Sequence, residues 1–465
     1  MRNLLVILFS ICFSQIQAQT IAERLDALLN EELLQTSEVG ITVFDLTTGE
    51  SVYRYQDDKL YRPASTQKVI TSVTALARLG KDYTLDTHLY HSGTIENDTL
   101  KGNLYLKGSM DPLWMEEHLD SLVTAVVQGG VRFIADTLVA NVSMMDSVYW
   151  GPGWSWDDAP YSFQPYLSPL MLNGGCVDVT VTPTQRDSLP LVEFRPASDI
   201  YRIKNLAVSH QPQAGKLKIT RNWIENGNTF IVSGNVTRKT TSSLSIYPSQ
   251  EHFLRIFQER LCQQGVLALH TNYLNDKAVE DCISSFLVIR RPITSVLQEA
   301  LKESNNLCAE ALFFHLARQV STETAIGFED GTEAINHFMK EELGLNPDIY
   351  RIADGSGISL YNYVSPHLLL EYLKYAYYHR EVFIPFYDAL PIAGIDGTLK
   401  NRMKKTAAYG NVRAKTGSVT GVSSLAGYVK AKNGHQLAFV IINQNVMKLK
   451  RARDLQDKIC IILSE

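Results

Sequence analysis

Cysteine is scarce in this chain, at six residues in 465. Setting aside Cys12, the remaining five (Cys176, Cys262, Cys282, Cys308 and Cys460) are widely spread, which excludes a disulfide scaffold. Five is an odd number, so at least one thiol is unpaired or pairs between chains. Metal-ligand spacing is missing too. None of the eleven histidines belongs to a His-Glu-x-x-His or similar cluster, so neither a metal nor another cofactor is expected. There is no basic excess: 44 Lys and Arg against 49 Asp and Glu give a net charge of −5, which argues against nucleic acid as the main partner. Beyond the N-terminus no apolar run is long enough for an integral membrane segment. Internal repeats, low-complexity tracts and long linkers are absent as well.

What is present begins with "MRNLLVILFSICFSQIQA", residues 1–18. A basic Arg2, a short apolar run and Ala18 at the end form the pattern of a secretory signal peptide, although Ile16 is large for its place. Ile11 before Cys12 is too large for a lipoprotein signal. The mature chain is therefore expected to be exported and soluble, in the periplasm or otherwise extracytoplasmic. Its 45% hydrophobic and 20% charged residues are an ordinary globular balance, and its length suggests two to four domains.

The order of patterns predicts an α+β protein. Residues 39–56 read as a β-hairpin, with two alternating runs around "TTGE". A helix follows from about residue 65, where Val69, Ile70, Val73, Leu76 and Leu79 recur at helical spacing. From about 83 to 284 come many short strands, such as "CVDVTVTP" and "NTFIVSGNVT", interrupted by one helix around "EHFLRIFQERLCQQG". Helices return after 290, and the chain ends in β structure with "NVRAKTGSV", "SSLAGYVKAKNG" and "QLAFVIINQN". The expectation is one core domain from 19–82 plus 285–465, split by a β-rich insertion at 83–284 that folds as two small domains.

Three short motifs carry chemistry. Ser65 and Lys68, in "PASTQK", are the only Ser-x-x-Lys pair, and three residues of helix put them on one side of a turn. A serine is a weak nucleophile until a base takes its proton, and a lysine is such a base when burial or another cation depresses its pKa. Ser304 and Asn306 stand just ahead of an apolar helix in "KESNNLCAEAL", and "KTG" at Lys415, Thr416 and Gly417 occurs once, in a strand-like run. Each alone has a bland reading as a cap or turn. A second Ser-x-Asn, Ser233 to Asn235, reads as a strand turn with no helix after it. In this order, on helix, helix start and strand, the three form the signature of penicillin-binding proteins and related β-lactamases. Ser65 would attack an acyl carbon and Lys68 take its proton. Ser304 would relay that proton to the leaving amine and Asn306 hold the substrate amide. Lys415 would supply positive charge and help keep Lys68 neutral. Thr416 would bind the substrate carboxylate, and Gly417 would let substrate backbone lie against the strand. The N–H groups of Ser65 and Ser418 would form an oxyanion hole.

With "LYLKGSMDPLW", "PGWSWDDAPYSF", "ADGSGIS", "LPIAGIDGTL" and "VRAKTGSVTGVSSLAGYV" added, the chain resembles the D-alanyl-D-alanine carboxypeptidase/endopeptidase family of the DacB or penicillin-binding protein 4 type, the class C low-molecular-mass penicillin-binding proteins. The resemblance runs over most of the mature chain. It implies a penicillin-binding, serine β-lactamase-like transpeptidase fold with domains inserted between the first two motifs. It also implies hydrolysis of the D-Ala-D-Ala end of peptidoglycan stem peptides, and often of D-amino-acid cross-links, through an acyl-serine that β-lactams trap. Asp158 and Phe163 would reach from the insertion to the substrate side chain. The chain departs from relatives at Leu360, where Arg is frequent, and at Thr420, where Gln is frequent. Both positions are thought to help recognise a diaminopimelate side chain.

Two rivals are set beside this reading. One is a serine β-lactamase, with Glu342 and Asn346 of "EELGLN" as water-directing groups; the plainer reading of that segment is a helix end with Gly344 as its cap. The other is a β-lactam- or wall-binding module without catalysis, which intact motifs disfavour. Cys262 and Cys282, 20 residues apart in the insertion, are the expected disulfide, with Cys282 and Cys308 at comparable spacing.

Overall fold

A computed structural model describes residues 19–274 and 283–465. The proposed signal segment and Cys282, hence the Cys262–Cys282 pairing, lie outside the described residues. Cys176, Cys262, Cys308 and Cys460 form no disulfide with one another.

The main unit is built on a five-stranded antiparallel sheet. Its strands run, edge to edge, Arg413–Val419, Val422–Lys430, Gln436–Gln444, Glu38–Asp45 and Glu50–Tyr55. The central strand shows why the sequence reads as a nearly unbroken apolar run. Successive side chains point to opposite faces, and both faces are covered. Ala438, Val440 and Ile442 join one core with the helices Gln67–Leu79, Ile293–Lys302, Asn306–Val320, Phe328–Glu341 and Pro366–Tyr378. Leu437, Phe439 and Ile441 join a second core with the helices Ile21–Leu28 and Leu449–Ser464.

The insertion leaves and returns through one ribbon. Strand Thr84–Ser92 pairs antiparallel with Ile283–Pro292, ending at Thr84 opposite Pro292. That pairing places residues 285–292 in the inserted sheet and the return to the core at Ile293, later than the pattern of apolar residues suggests. The ribbon belongs to a seven-stranded sheet on which the helices Leu119–Gln128 and Ser249–Gln263 pack. Two three-stranded sheets from residues 176–245 share a smaller core of Val177, Val179, Phe230 and Val232. Ser233 to Asn235 lies within strand Thr229–Val236, with no helix after it.

Two helices differ from the sequence expectation: Leu119–Gln128 is a second helix in the insertion, and Leu449–Ser464 makes the chain end helical rather than β. The terminal helix has Ala452, Leu455, Ile459, Ile462 and Leu463 buried among charged neighbours, a stripe whose partner is the far face of the sheet.

The edge strand Arg413–Val419 lies against the short 3₁₀ turn Ala64–Thr66 that precedes helix Gln67–Leu79. A Cβ on Gly417 would sit 2.8 Å from Pro63 O and 2.9 Å from Ser65 N, and would also strike Ser424 Oγ. Gly417 is therefore required where the strand meets the serine turn, a packing reason for the glycine that the sequence reading did not give. Gly417→Ala should destabilise the fold by about 1–3 kcal/mol through overpacking. Urea titration should show the midpoint falling with little change in slope.

Candidate active site

The serine turn is fixed from below. Ala64 has φ of 49°, a left-handed conformation unusual for a residue with a Cβ. Thr66 Oγ1 and Ser424 Oγ both donate to Pro63 O, at 2.7 and 2.6 Å. A Cβ on Gly357 (φ +82°) would collide with Ala64 O, so the loop 354–359 closes over the same turn. Ser65 thus stands just before the helix, half-buried, with Lys68 one turn on.

Lys68 is fully buried. Its Nζ lies 2.9 Å from Ser65 Oγ, 2.7 Å from Asn306 Oδ1 and 2.8 Å from Ser356 O. The amide and peptide oxygens can only accept, whereas a hydroxyl can also donate. A neutral amine has two N–H groups and one lone pair, so its lone pair is left facing Ser65. Burial lowers the Lys68 pKa to about 8, against the opposing pull of the Asp354 and Glu310 carboxylates.

Ser304 sits at φ of 61°, and Asn305 caps helix Asn306–Val320 by accepting from Cys308 N at 3.2 Å. The cap puts Asn306 in the first turn. Its Oδ1 faces Lys68, and its Nδ2 donates 2.7 Å to Phe163 O. Lys415, fully buried on the edge strand, donates 2.8 Å to Ser304 Oγ and 2.7 Å to Thr416 O. Burial, then the charge of Lys68, pushes Lys415 well below its usual range. The sequence reading had Lys415 depressing Lys68; for Lys68 the cause is burial itself.

The segment 143–172 of the insertion packs on the main core through Met145, Trp154, Leu167 and Met171. It carries Ser155, Asp158 and Phe163 to a cleft of about 430 Å³ that also exposes Ser65, Ser304, Asn306, Leu360, Ser418 and Thr420. Asp158 is the one carboxylate on its wall. Burial, then Asp157, raises the Asp158 pKa. A larger cleft of about 530 Å³ lies elsewhere, along Tyr201, Tyr247 and His252. It holds no serine–lysine pair, so the chemistry favours the smaller one.

Several groups at the site were given no role by the sequence reading. Glu310, one turn beyond Asn306, is buried beneath Lys68 and accepts from Gly355 N and Ser356 N at 3.0 and 2.8 Å. Burial and the neighbouring Asp354 raise it to about 8. Asp354 accepts from Gly357 N, Ser359 N, Asn362 Nδ2 and Trp154 Nε1, all within 2.9 Å. Thr398 shares a 2.8 Å hydrogen bond with Thr416 Oγ1, on a turn held by the Lys302–Asp396 pair at 2.9 Å. Arg453, on the terminal helix, donates 3.1 Å to Ser418 Oγ. Thr398 lies in "LPIAGIDGTL", a segment that carries the resemblance but was given no role, and Arg453 lies 35 residues from Ser418 in sequence.

Glu342 sits elsewhere, 3.2 Å from Arg78 at the end of helix Phe328–Glu341, with Gly344 at φ of 65°. Among the described residues one acid–histidine cluster, Asp57, Asp58 and His367, has metal-like spacing. Arg54 already pairs with both of its carboxylates, at 2.8 and 3.1 Å.

Comparison with known proteins gives a consistent result. The chain is 27% identical to the D-alanyl-D-alanine carboxypeptidase DacB of Haemophilus influenzae, over 89% of this chain and 86% of that protein. It is 29% identical to the D-alanyl-D-alanine carboxypeptidase of Actinomadura sp. strain R39, over 95% and 84%. The crystal structure of penicillin binding protein 4 (dacB) from H. influenzae superposes with a TM-score of 0.83 at 25% identity, covering 94% of this chain and 97% of that one. Residues 21–465 match the D-Ala-D-Ala carboxypeptidase 3 (S13) family, and the chain belongs to that family.

Proposed function

We infer that this chain is a serine-type D-Ala-D-Ala carboxypeptidase that cleaves peptidoglycan stem peptides, with Ser65 as nucleophile and Lys68 as base. The observation that carries the reading is the Lys68 amine 2.9 Å from Ser65 Oγ, with its other two partners unable to donate. Ser65 Oγ attacks the carbonyl carbon of the penultimate D-Ala and its proton passes to Lys68. The oxyanion is held by the Ser65 and Ser418 N–H groups. Ser304, bonded to Lys415, delivers a proton to the departing amine as the C–N bond breaks. Water then enters by the reverse route and frees Ser65. Asn306 orients the acyl amide, and Thr416 and Ser418 bind the terminal carboxylate beside Arg453, which is permanently charged. Asp158 and Phe163 receive the stem-peptide side chain. A leaving amine that belongs to a second stem peptide reacts through the same groups, so the reading covers D,D-cross-links as well as free ends.

A β-lactam offers the same acyl carbon in a ring, so its amine cannot diffuse away and the acyl-serine persists. Glu342, the water-directing group of the β-lactamase reading, is engaged with Arg78 and does not line the cleft. Export is part of the proposal, since the substrate lies outside the cytoplasm and residues 1–18 carry the signal pattern. No described helix is long and apolar enough to cross a membrane.

Incubation with defined pentapeptides, read by mass, should show loss of one D-Ala. Intact substrate after prolonged incubation would overturn the reading. A fluorescent penicillin should label Ser65. Ser65→Ala should abolish labelling, and Lys68→Ala should slow it by at least about 10²–10⁴-fold. Because Lys68 is the base only when neutral and its pKa is about 8, the acylation rate constant should rise about tenfold per pH unit below that value and level off above it. A flat profile from pH 6 to 9 would remove Lys68 as the base.

Leu360 and Thr420 line the cleft without a charged group of their own. Diaminopimelate and lysine peptides with the same D-Ala-D-Ala end should therefore be cleaved with similar kcat/KM. Leu360→Arg should favour the diaminopimelate peptide by about tenfold, as one partly buried ion pair would. A strong wild-type preference that the substitution leaves unchanged would assign this selectivity to another residue.

A further inference from the structure

Beside the cleft, two short turns leave aromatic rings in solvent. Trp156, two residues before Asp158, is 68% exposed. Its ring meets Trp223 with centroids 4.9 Å apart. Trp223 and the 76%-exposed Ile224 occupy the tip between strands Lys218–Arg221 and Thr229–Val236 of the small sandwich. On the other side of Asp158, Tyr161 and Phe163 stack at 5.6 Å, each nearly half exposed. Large exposed rings paired in this way beside a cleft mark a binding surface.

The platform is held in place. Tyr166 Oη donates 2.6 Å to Asn226 Oδ1 at the sandwich tip, and the Arg221 guanidinium lies 5.4 Å from the Tyr166 ring. The tip that presents Trp223 is thereby tied to the segment that presents Trp156. Neither the Trp156 nor the Trp223 indole N–H has a hydrogen-bond partner among the described residues, so both donors are available to a ligand. The two turns carry Asp157, Asp158 and Glu225 and no Lys or Arg, which disfavours an anionic surface such as a phospholipid headgroup layer.

Flat rings with free N–H donors, next to neutral or acidic groups, suit the apolar face and the hydroxyl and acetamido groups of an uncharged sugar. The platform adjoins the cleft: Ser155, Asp158 and Phe163, from the same short segment as Trp156, line its wall. We propose that the Trp156–Trp223 platform is a saccharide subsite, which takes the amino-sugar chain to which the stem peptide is attached. The proposal rests on the peptidase reading above and adds recognition of the glycan to it.

The test compares kcat/KM for a free pentapeptide and for the same pentapeptide carried on its N-acetylated disaccharide. The wild type should favour the disaccharide form by about fivefold to tenfold, the size expected of one or two ring contacts. Trp223→Ala should erase that preference and leave turnover of the free pentapeptide unchanged, while Trp223→Tyr should keep most of it. Ile224→Ser, at a side chain with little packing to lose, gives a second readout should Trp223→Ala fold poorly. Equal kcat/KM for both substrates in the wild type would overturn the proposal while leaving the peptidase reading intact. So would a preference that survives Trp223→Ala, or a concentration-dependent dimer that Trp223→Ala dissolves while the sugar has no effect. Failure to cleave either substrate would instead overturn the peptidase reading.

Discussion

An amine with no exposure to water must be neutral or well paired, and much of the architecture around Ser65 serves that one requirement. Lys68 has three partners, each supplied by a different part of the chain: its own turn, the start of helix Asn306–Val320, and the loop 354–359. Loss of the Asn306 or Ser356 oxygen would leave a buried N–H donor unsatisfied, at a cost of about 1–3 kcal/mol. The three elements are accordingly tied to one another as well as to the lysine. Glu310 holds the loop through two backbone N–H groups, Asp354 holds its far end through four donors, and Gly357 lets it touch the serine turn.

The insertion fits this scheme because it arrives and departs on one paired ribbon. A domain attached by two adjacent strands does not separate the halves of the core, so the helices after Ile293 can pack on helix Gln67–Leu79 as if the chain were continuous. The insertion also returns a segment to the site. Phe163 O accepts from Asn306, and Trp154 donates to Asp354. The Ser65–Lys68 centre and the inserted wall of the cleft therefore share hydrogen bonds, and the wall is placed by the same residues that place Lys68.

The legible parts of the sequence were those in which one local pattern decides the outcome. The serine helix, the hairpin and the three final strands have clean periodicity, and the order of the three motifs with the long matching segments pointed to the family. Glu310 was illegible because "CAEALFF" reads as an apolar helix with one polar interruption; only the fold shows that residue turned beneath Lys68. The terminal helix was missed because its stripe is thin among Lys, Arg and Asp, and it becomes convincing only against the far face of the sheet. Thr398 and Arg453 reach the site by tertiary placement alone. The packing at Gly417 was illegible for a related reason: sequence identifies a glycine, but what its missing side chain makes room for is decided by what packs there.

The ionisable groups at the centre suggest why the arrangement needs both lysines. Lys68, Lys415, Glu310 and Asp354 are all buried, and burial, which penalises the charged form, lowers both amines and raises Glu310. Two adjacent amines resist being charged together, and Lys415 lies next to Thr416 and Ser418 on the strand that faces the cleft. Burial lowers Lys68 against the opposing pull of Asp354 and Glu310, and the charge of Lys68 adds to the lowering of Lys415 by burial.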